Sequence, residues 1–149
     1  SRGAAAFDLR AAATAAAAHL ATWCAIGDVL VQPFIDAVRT TGERSLVWLD
    51  GAFTHSIRKE PRFAGQPEQV SGPHPIAADD LAIAEAALAP LAAQLLYARV
   101  DLARDAAGHP LVMEVELIEP SLFLAHGGAA ASARLIAGIQ RWLATRPGA

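Results

Sequence analysis

The stretch Tyr97–Phe123, YARVDLARDAAGHPLVMEVELIEPSLF, decides the fold. It holds two apolar runs, Tyr97–Arg104 and Leu111–Ile118, joined through Asp105-Ala-Ala-Gly-His-Pro, a connector of the kind that closes an antiparallel pair. Both runs carry acids where a buried strand is ordinarily apolar: Asp101 in the first, Glu114 and Glu116 in the second, and Glu119 just beyond. Burying a carboxylate is costly unless it is paired, hydrogen-bonded or bound to a metal. These two strands must therefore supply a partner for their charge.

Strand parity sharpens the question. Side chains alternate faces, so Glu114 and Glu116 share one face, about 7 Å apart, while Met113, Val115 and Leu117 turn toward the core. Pairing Arg104 with Leu111 sets Asp101 directly across from Glu114, and three carboxylates converge. Like charges this close call for a cation among them, and hard oxygens without His or Cys suit Mg²⁺ or Mn²⁺. The plainer alternative is a half-exposed strand whose acids face water.

Working outward, Ser45–Leu49 and Phe53–Lys59 flank Asp50-Gly51, a strong hairpin signal. Val29–Gln32 is β-branched and apolar and reads as a buried strand running into Pro33. Ala11–Ile26 is rich in the best helix former, carries Leu20 and Trp23, and meets a stop at Gly27-Asp28. Glu60–Pro75 collects Pro, Gly, Gln and Ser without periodicity and predicts an exposed, flap-like loop. Asp79–Leu96 has helical spacing, with Asp79 or Asp80 as the cap and Pro90 as a break. Gly127–Arg146 predicts a closing helix with Leu135, Ile136, Ile139, Trp142 and Leu143 as its buried stripe. The order helix, three strands, helix, two strands, helix predicts an α+β fold, an antiparallel β-sheet covered by helices in a single layer pair.

Composition bounds the function classes. The chain has 149 residues, 54% of them apolar and 18% charged, which fits one globular domain around a single core. No apolar run is long and greasy enough to span a bilayer. The net charge of −3 offers no field for nucleic acid or anionic lipid, so neither is an expected partner. Cys24 is the only cysteine, which suits a reducing cytoplasm, and on an apolar helix it reads as packing. The basic residues are eleven Arg and one Lys, Lys59. Ser1-Arg2-Gly3 lacks an initiator Met and begins no leader pattern, which points to a fragment or a processed chain. The oligomeric state is not legible.

The residues in hand resemble the C-terminal part of ATP-grasp ligases, a superfamily that includes D-alanine:D-alanine ligase, glutathione synthetase and the ribosomal-protein glutamate ligases. Its pattern is Arg-φ-Asp on one strand and Glu-x-Asn or Glu-x-Glu on the next. Here those are Arg99-Val100-Asp101 and Glu114-Val115-Glu116. The ordered pieces from VQPFI through GERSLVWLDGAFTHSIRK to LVMEVELIEPSLF look most like the small bacterial ligases related to the D-cycloserine-forming enzyme, over about Val29–Leu124.

The resemblance implies an ATP- and Mg²⁺-dependent carboxylate–amine ligase acting through an acyl phosphate on a small-molecule amino-acid or peptide substrate. It implies Asp101, Glu114 and Glu116 as metal ligands and Arg99 facing the acyl phosphate, where a guanidinium neutralises developing charge. It places Gln32, Pro33, Phe34 and Ile35 at the hinge whose backbone reads the adenine edge. Glu43 falls on the ribose hydroxyls, and Arg58 and Lys59 reach toward phosphates or the acyl substrate. The chain departs from the pattern in lacking the N-terminal substrate domain and the small lobe with two nucleotide-binding lysines, so it is expected to be inactive alone. The competing expectation is a non-catalytic metal- or nucleotide-binding module, or a scaffold.

Overall fold

A computed structural model describes residues 4–61 and 69–145. The chain divides into two compact units, Ser1–Phe34 and Ile35–Ala149.

The first unit contains α1, Leu9–Cys24, whose N-cap Asp8 accepts from the Arg10 backbone N–H at 2.9 Å. None of its residues is buried, so alanine's intrinsic helix propensity accounts for it better than core packing does. Ala12 kinks the first turn. Cys24 is exposed, against the expectation that it packs. The strand expected at Val29–Gln32 does not form. These residues and Pro33, Phe34 lie outside any helix or strand, with Leu30 86% exposed and Val31 73%. Apolar β-branched residues become a strand only with a partner ladder, and among the described residues none pairs with them.

The second unit is built on one five-stranded antiparallel sheet, in the order β3-β2-β1-β4-β5. Its strands are β1 (Glu43–Leu49), β2 (Ala52–Lys59), β3 (Val70–His74), β4 (Tyr97–Arg104) and β5 (Pro110–Glu116). The helices are α2 (Ala37–Thr40), α3 (Ala78–Leu88) and α4 (Leu124–Ala144). The β1–β2 hairpin turns at Asp50-Gly51, both with positive φ, as its sequence predicts. β3 lies inside the segment expected to be a loop, while residues 62–68 of that segment fall outside the described residues. Asp79 and Asp80 sit in the first turn of α3 rather than at its N-cap, which is Ala77, and the helix stops before Pro90.

Helices cover both faces of the sheet, not one. Leu46, Trp48, Ala98, Val100 and Leu102 pack with Ala84 and Leu88 of α3. Val47 and Leu49, on the opposite side of β1, pack with Ala131 and Leu135 of α4. The core is therefore two apolar clusters, one on each face. α4 presents a different stripe from the one its sequence predicts: Ala131 and Gly138 are buried, whereas Ile136 and Leu143 are 55% and 57% exposed. Small residues let the helix approach closely. A Cβ on Gly138 would come within 2.9 Å of the Asp50 side chain.

Two bulges set which side chains share a face. In β2, Val47 pairs with His55 and Trp48 with Phe53, leaving Thr54 unpaired, its hydroxyl 3.3 Å from the Val47 carbonyl. Phe53 thus joins the α3 face and His55 the α4 face. In β5, Asp101 pairs with Glu114 but Leu102 with Val112, leaving Met113 as the extra residue. The expected Asp101–Glu114 pair is therefore correct, although Arg104 pairs with Pro110 rather than Leu111. Val115 is 38% exposed, because β5 is an edge strand and the core does not extend over it.

Candidate metal and nucleotide site

On the α4 face, cross-strand register assembles Lys59 on β2, Glu43 and Ser45 on β1, Arg99 and Asp101 on β4, and Glu114 and Glu116 on β5. Gly42 shapes the edge of this group. Its φ is +75°, and a Cβ there would meet the Lys59 carbonyl oxygen at 2.0 Å, so only glycine lets Glu43 start β1 beside the end of β2.

Asp101 is buried and its charge is answered from within the protein. Arg99 grips it through Nε to Oδ1 at 2.8 Å and Nη2 to Oδ2 at 2.9 Å, a two-pronged contact. Lys59 Nζ donates to the same Oδ2 at 2.5 Å. Burial alone would push the Asp101 carboxyl up, but the Arg99 and Lys59 hydrogen bonds outweigh it and hold the group below its ordinary value. Burial likewise works against the Arg99 charge, and Asp101 reverses it. Asp101 therefore has two resident cations before any metal is considered.

Arg99 is also fixed from behind. Its Nη2 donates to Glu116 Oε1 at 2.5 Å, Nη1 lies 3.5 Å from the Ser121 carbonyl, and its Cζ lies 5.8 Å from the centre of the Phe123 ring. The segment carrying Ser121 and Phe123 is held in turn by His55, whose Nε2–H donates to the Leu122 carbonyl at 2.9 Å. In that tautomer Nδ1 accepts from the Thr54 hydroxyl at 2.8 Å. Burial lowers the His55 pKa, keeping the ring neutral.

The remaining acids are in surplus. One oxygen or more from each of Asp101, Glu114 and Glu116 can be chosen so that all lie within 4.8 Å of one another. Glu114 is exposed and makes no ion pair among the described residues. Glu43 lies 3.9 Å from Lys59 Nζ, and burial pushes its carboxyl up, with Asp101 and Glu114 adding to the rise and Lys59 opposing it. Three clustered carboxylates with no nitrogen or sulfur donor fit a hard divalent cation such as Mg²⁺ or Mn²⁺.

Most of the expected site residues thus meet. Arg58 does not. It follows the opposite parity from Lys59, is exposed, and is held by Glu60 through Nε at 3.1 Å and Nη2 at 2.7 Å. Gln32, Pro33 and Phe34 end the first unit, exposed and without the strand that a hinge reading requires, and Ile35 begins the second. His55 was missed in the sequence although parity places it on the Lys59 face.

The sheet and its helices match the fold of part of an ATP-grasp ligase, as the resemblance implies. No family model matches the chain. It is 36% identical to the cycloserine biosynthesis protein DcsG of Streptomyces lavendulae, over 77% of this chain and 43% of the relative. The crystal structure of D-cycloserine synthetase DcsG superposes with a TM-score of 0.75 at 34% identity, covering 90% of this chain and 49% of the other. A lower overlap, TM-score 0.47 at 25% identity over 66% of this chain and 36% of the other, is found with D-alanine–D-alanine ligase from Bacillus anthracis complexed with ATP. The chain spans about half the length of the relatives it matches.

Proposed function

We propose that this chain supplies the C-terminal, metal-bearing lobe of an ATP- and Mg²⁺-dependent carboxylate–amine ligase that works through an acyl phosphate. The observation that carries the reading is the convergence of Asp101, Glu114 and Glu116 beside a fixed Arg99. Mg²⁺ bound there supplies charge neutralisation for the triphosphate.

The chain's own residues do the rest. Asp101, Glu114 and Glu116 hold the ion, and Glu43 receives the ribose hydroxyls. Arg99, locked by Asp101, Glu116 and Phe123, presents its one remaining Nη1 N–H and its charge to the transferred phosphoryl. Phosphoryl transfer rests on positioning and charge stabilisation, and a preorganised guanidinium supplies both without reorganising during the reaction. Lys59 adds a second cation at the same edge, paired with Asp101. The relative named for cycloserine biosynthesis supports a small amino-acid-like carboxylate or amine substrate. Among the described residues no helix is long and apolar enough to cross a membrane.

A second reading has one observation in its favour: Arg99 and Lys59 already neutralise Asp101, which a scaffold would also do. Thermal unfolding with Mg²⁺ and ATP separates the two. A nucleotide-binding lobe gains stability with ligand concentration, by about 2.7 kcal/mol at one hundred times Kd. A scaffold gains none, and that result would overturn the proposal.

A further inference from the structure

We propose that Lys59 is a built-in counter-ion, holding the place of a divalent cation on Asp101 and leaving that carboxylate when the cation binds. The inference rests on the metal reading of the acidic face and adds to it the residue that must move.

A carboxylate offers about four lone-pair directions. On Asp101, Arg99 takes one on each oxygen and Lys59 takes another on Oδ2. The Ser45 hydroxyl, directly across the ladder, is buried and makes no hydrogen bond among the described residues. Oδ2 thus has both of its directions taken, and a metal ion can use that oxygen only by displacing a donor.

The two cations are unequal as candidates to leave. Arg99 is 6% exposed at its side chain and is held independently by Glu116, the Ser121 carbonyl and the Phe123 ring. Lys59 is 15% exposed, sits at the end of β2, and makes one short contact, to Asp101. A guanidinium fork is rigid and preorganised, whereas an ammonium on a four-carbon stem reorients readily. A second carboxylate, Glu43, already lies 3.9 Å from Nζ and can take the displaced charge.

Charge balance points the same way. Four carboxylates, Glu43, Asp101, Glu114 and Glu116, face two cations, Arg99 and Lys59, so one divalent ion settles the remainder. With Lys59 on Asp101, part of the acidic charge is already neutralised. With a metal there, Lys59 becomes a free cation at the edge where phosphates arrive. The exchange discourages metal without nucleotide and releases a phosphate ligand once both are present.

The test exploits an accident of composition: Lys59 is the chain's single lysine. Lysine labelled with ¹³C at Cε gives one signal from the whole chain. Titrating Mg²⁺ without nucleotide, while following thermal stabilisation of the same sample, is expected to shift that signal in step with the gain in stability. Stabilisation with an unmoved lysine signal would overturn the exchange and leave the metal site standing. No stabilisation at all would overturn the metal reading and the exchange with it. A paired measurement uses Mn²⁺ and electron paramagnetic resonance. Lys59→Met is expected to tighten nucleotide-free Mn²⁺ binding about tenfold by removing the competing charge, and Lys59→Arg to leave it near wild type. Unchanged or weaker Mn²⁺ binding in folded Lys59→Met would overturn the proposal, and if that variant fails to fold the labelled wild-type chain still decides.

Discussion

Asp80 and Asp101 are each 1% exposed, on opposite faces of one sheet, and each is met by two cations. Asp80 of α3 receives Arg104 Nη2 at 2.5 Å and lies 3.5 Å from Arg44 Nε. Arg104 also binds Asp79, and Arg44 reaches the Pro75 carbonyl at 2.5 Å and the Ser56 hydroxyl at 3.2 Å. That group is two acids against two arginines, a balanced clamp seating α3 on the sheet. Asp101 belongs to a group of four acids against two cations, one of which is a lysine. Burial and pairing are common to both, so they do not mark a site. Surplus negative charge beside a displaceable cation does.

The comparison can be broken most forcefully by removing each aspartate. Taking away one partner of a buried pair leaves an uncompensated charge, so Asp80→Ala and Asp101→Ala are each expected to cost about 3–5 kcal/mol in urea unfolding. Only the Asp101 variant is expected to lose its response to Mg²⁺. Equal metal responses in the two variants would erase the distinction. A smaller effect is expected from Gly42→Ala, about 2–3 kcal/mol for a left-handed backbone and a collision with the Lys59 carbonyl. Intact metal binding in that variant would show that the edge carrying Glu43 and Lys59 lies outside the site.

The pH dependence separates Glu43 by sign from the paired aspartates of both faces. Arg104 holds Asp79 in the clamp down to about 2, and Asp101 is also depressed below 3.8. A carboxyl with a lowered folded pKa stabilises the fold above its unfolded value, and that contribution is lost as pH falls through the folded one. Glu43 is the reverse case, raised above 4.5, so its contribution is present at lower pH and disappears as pH rises through its folded value. In chemical unfolding at successive pH values, Glu43→Gln is expected to remove a gain in stability on acidification toward 4.5 and to leave the loss below 3.8 in place. An unchanged profile would mean that Glu43 does not feel the acids around it.

The α+β class and the clustering of three carboxylates were legible in the sequence, and for the carboxylates the reason is locality. Side-chain parity along β5 and a short connector were enough to bring Asp101, Glu114 and Glu116 together, even though a bulge at Met113 shifts the far end of the ladder by one residue. Parity also separates Arg58 from Lys59 and places His55 on the Lys59 face. What depends on distant partners was not legible. Val29–Gln32 has strand composition without a ladder, Val70–His74 has loop composition and pairs with β2, and α4 seats its alanine and glycine face where hydropathy favours Ile136 and Leu143. The Asp80–Arg104–Arg44 clamp joins a helix to two non-adjacent stretches, and no spacing rule connects them.

The smallest structural change tests the central claim most directly. Glu114 is exposed and unpaired among the described residues, so Glu114→Gln is expected to move metal-free stability by no more than about 0.5 kcal/mol, toward higher stability as repulsion is relieved. Isothermal titration of Mg²⁺–ATP into this variant and the wild type, with unfolding measured on the same preparations, reads both quantities at once. The account predicts an intact fold with nucleotide–metal binding lost or weakened at least tenfold. A destabilised variant that binds Mg²⁺–ATP as tightly as the wild type would make Glu114 a structural residue and contradict the assignment of this face as the metal site.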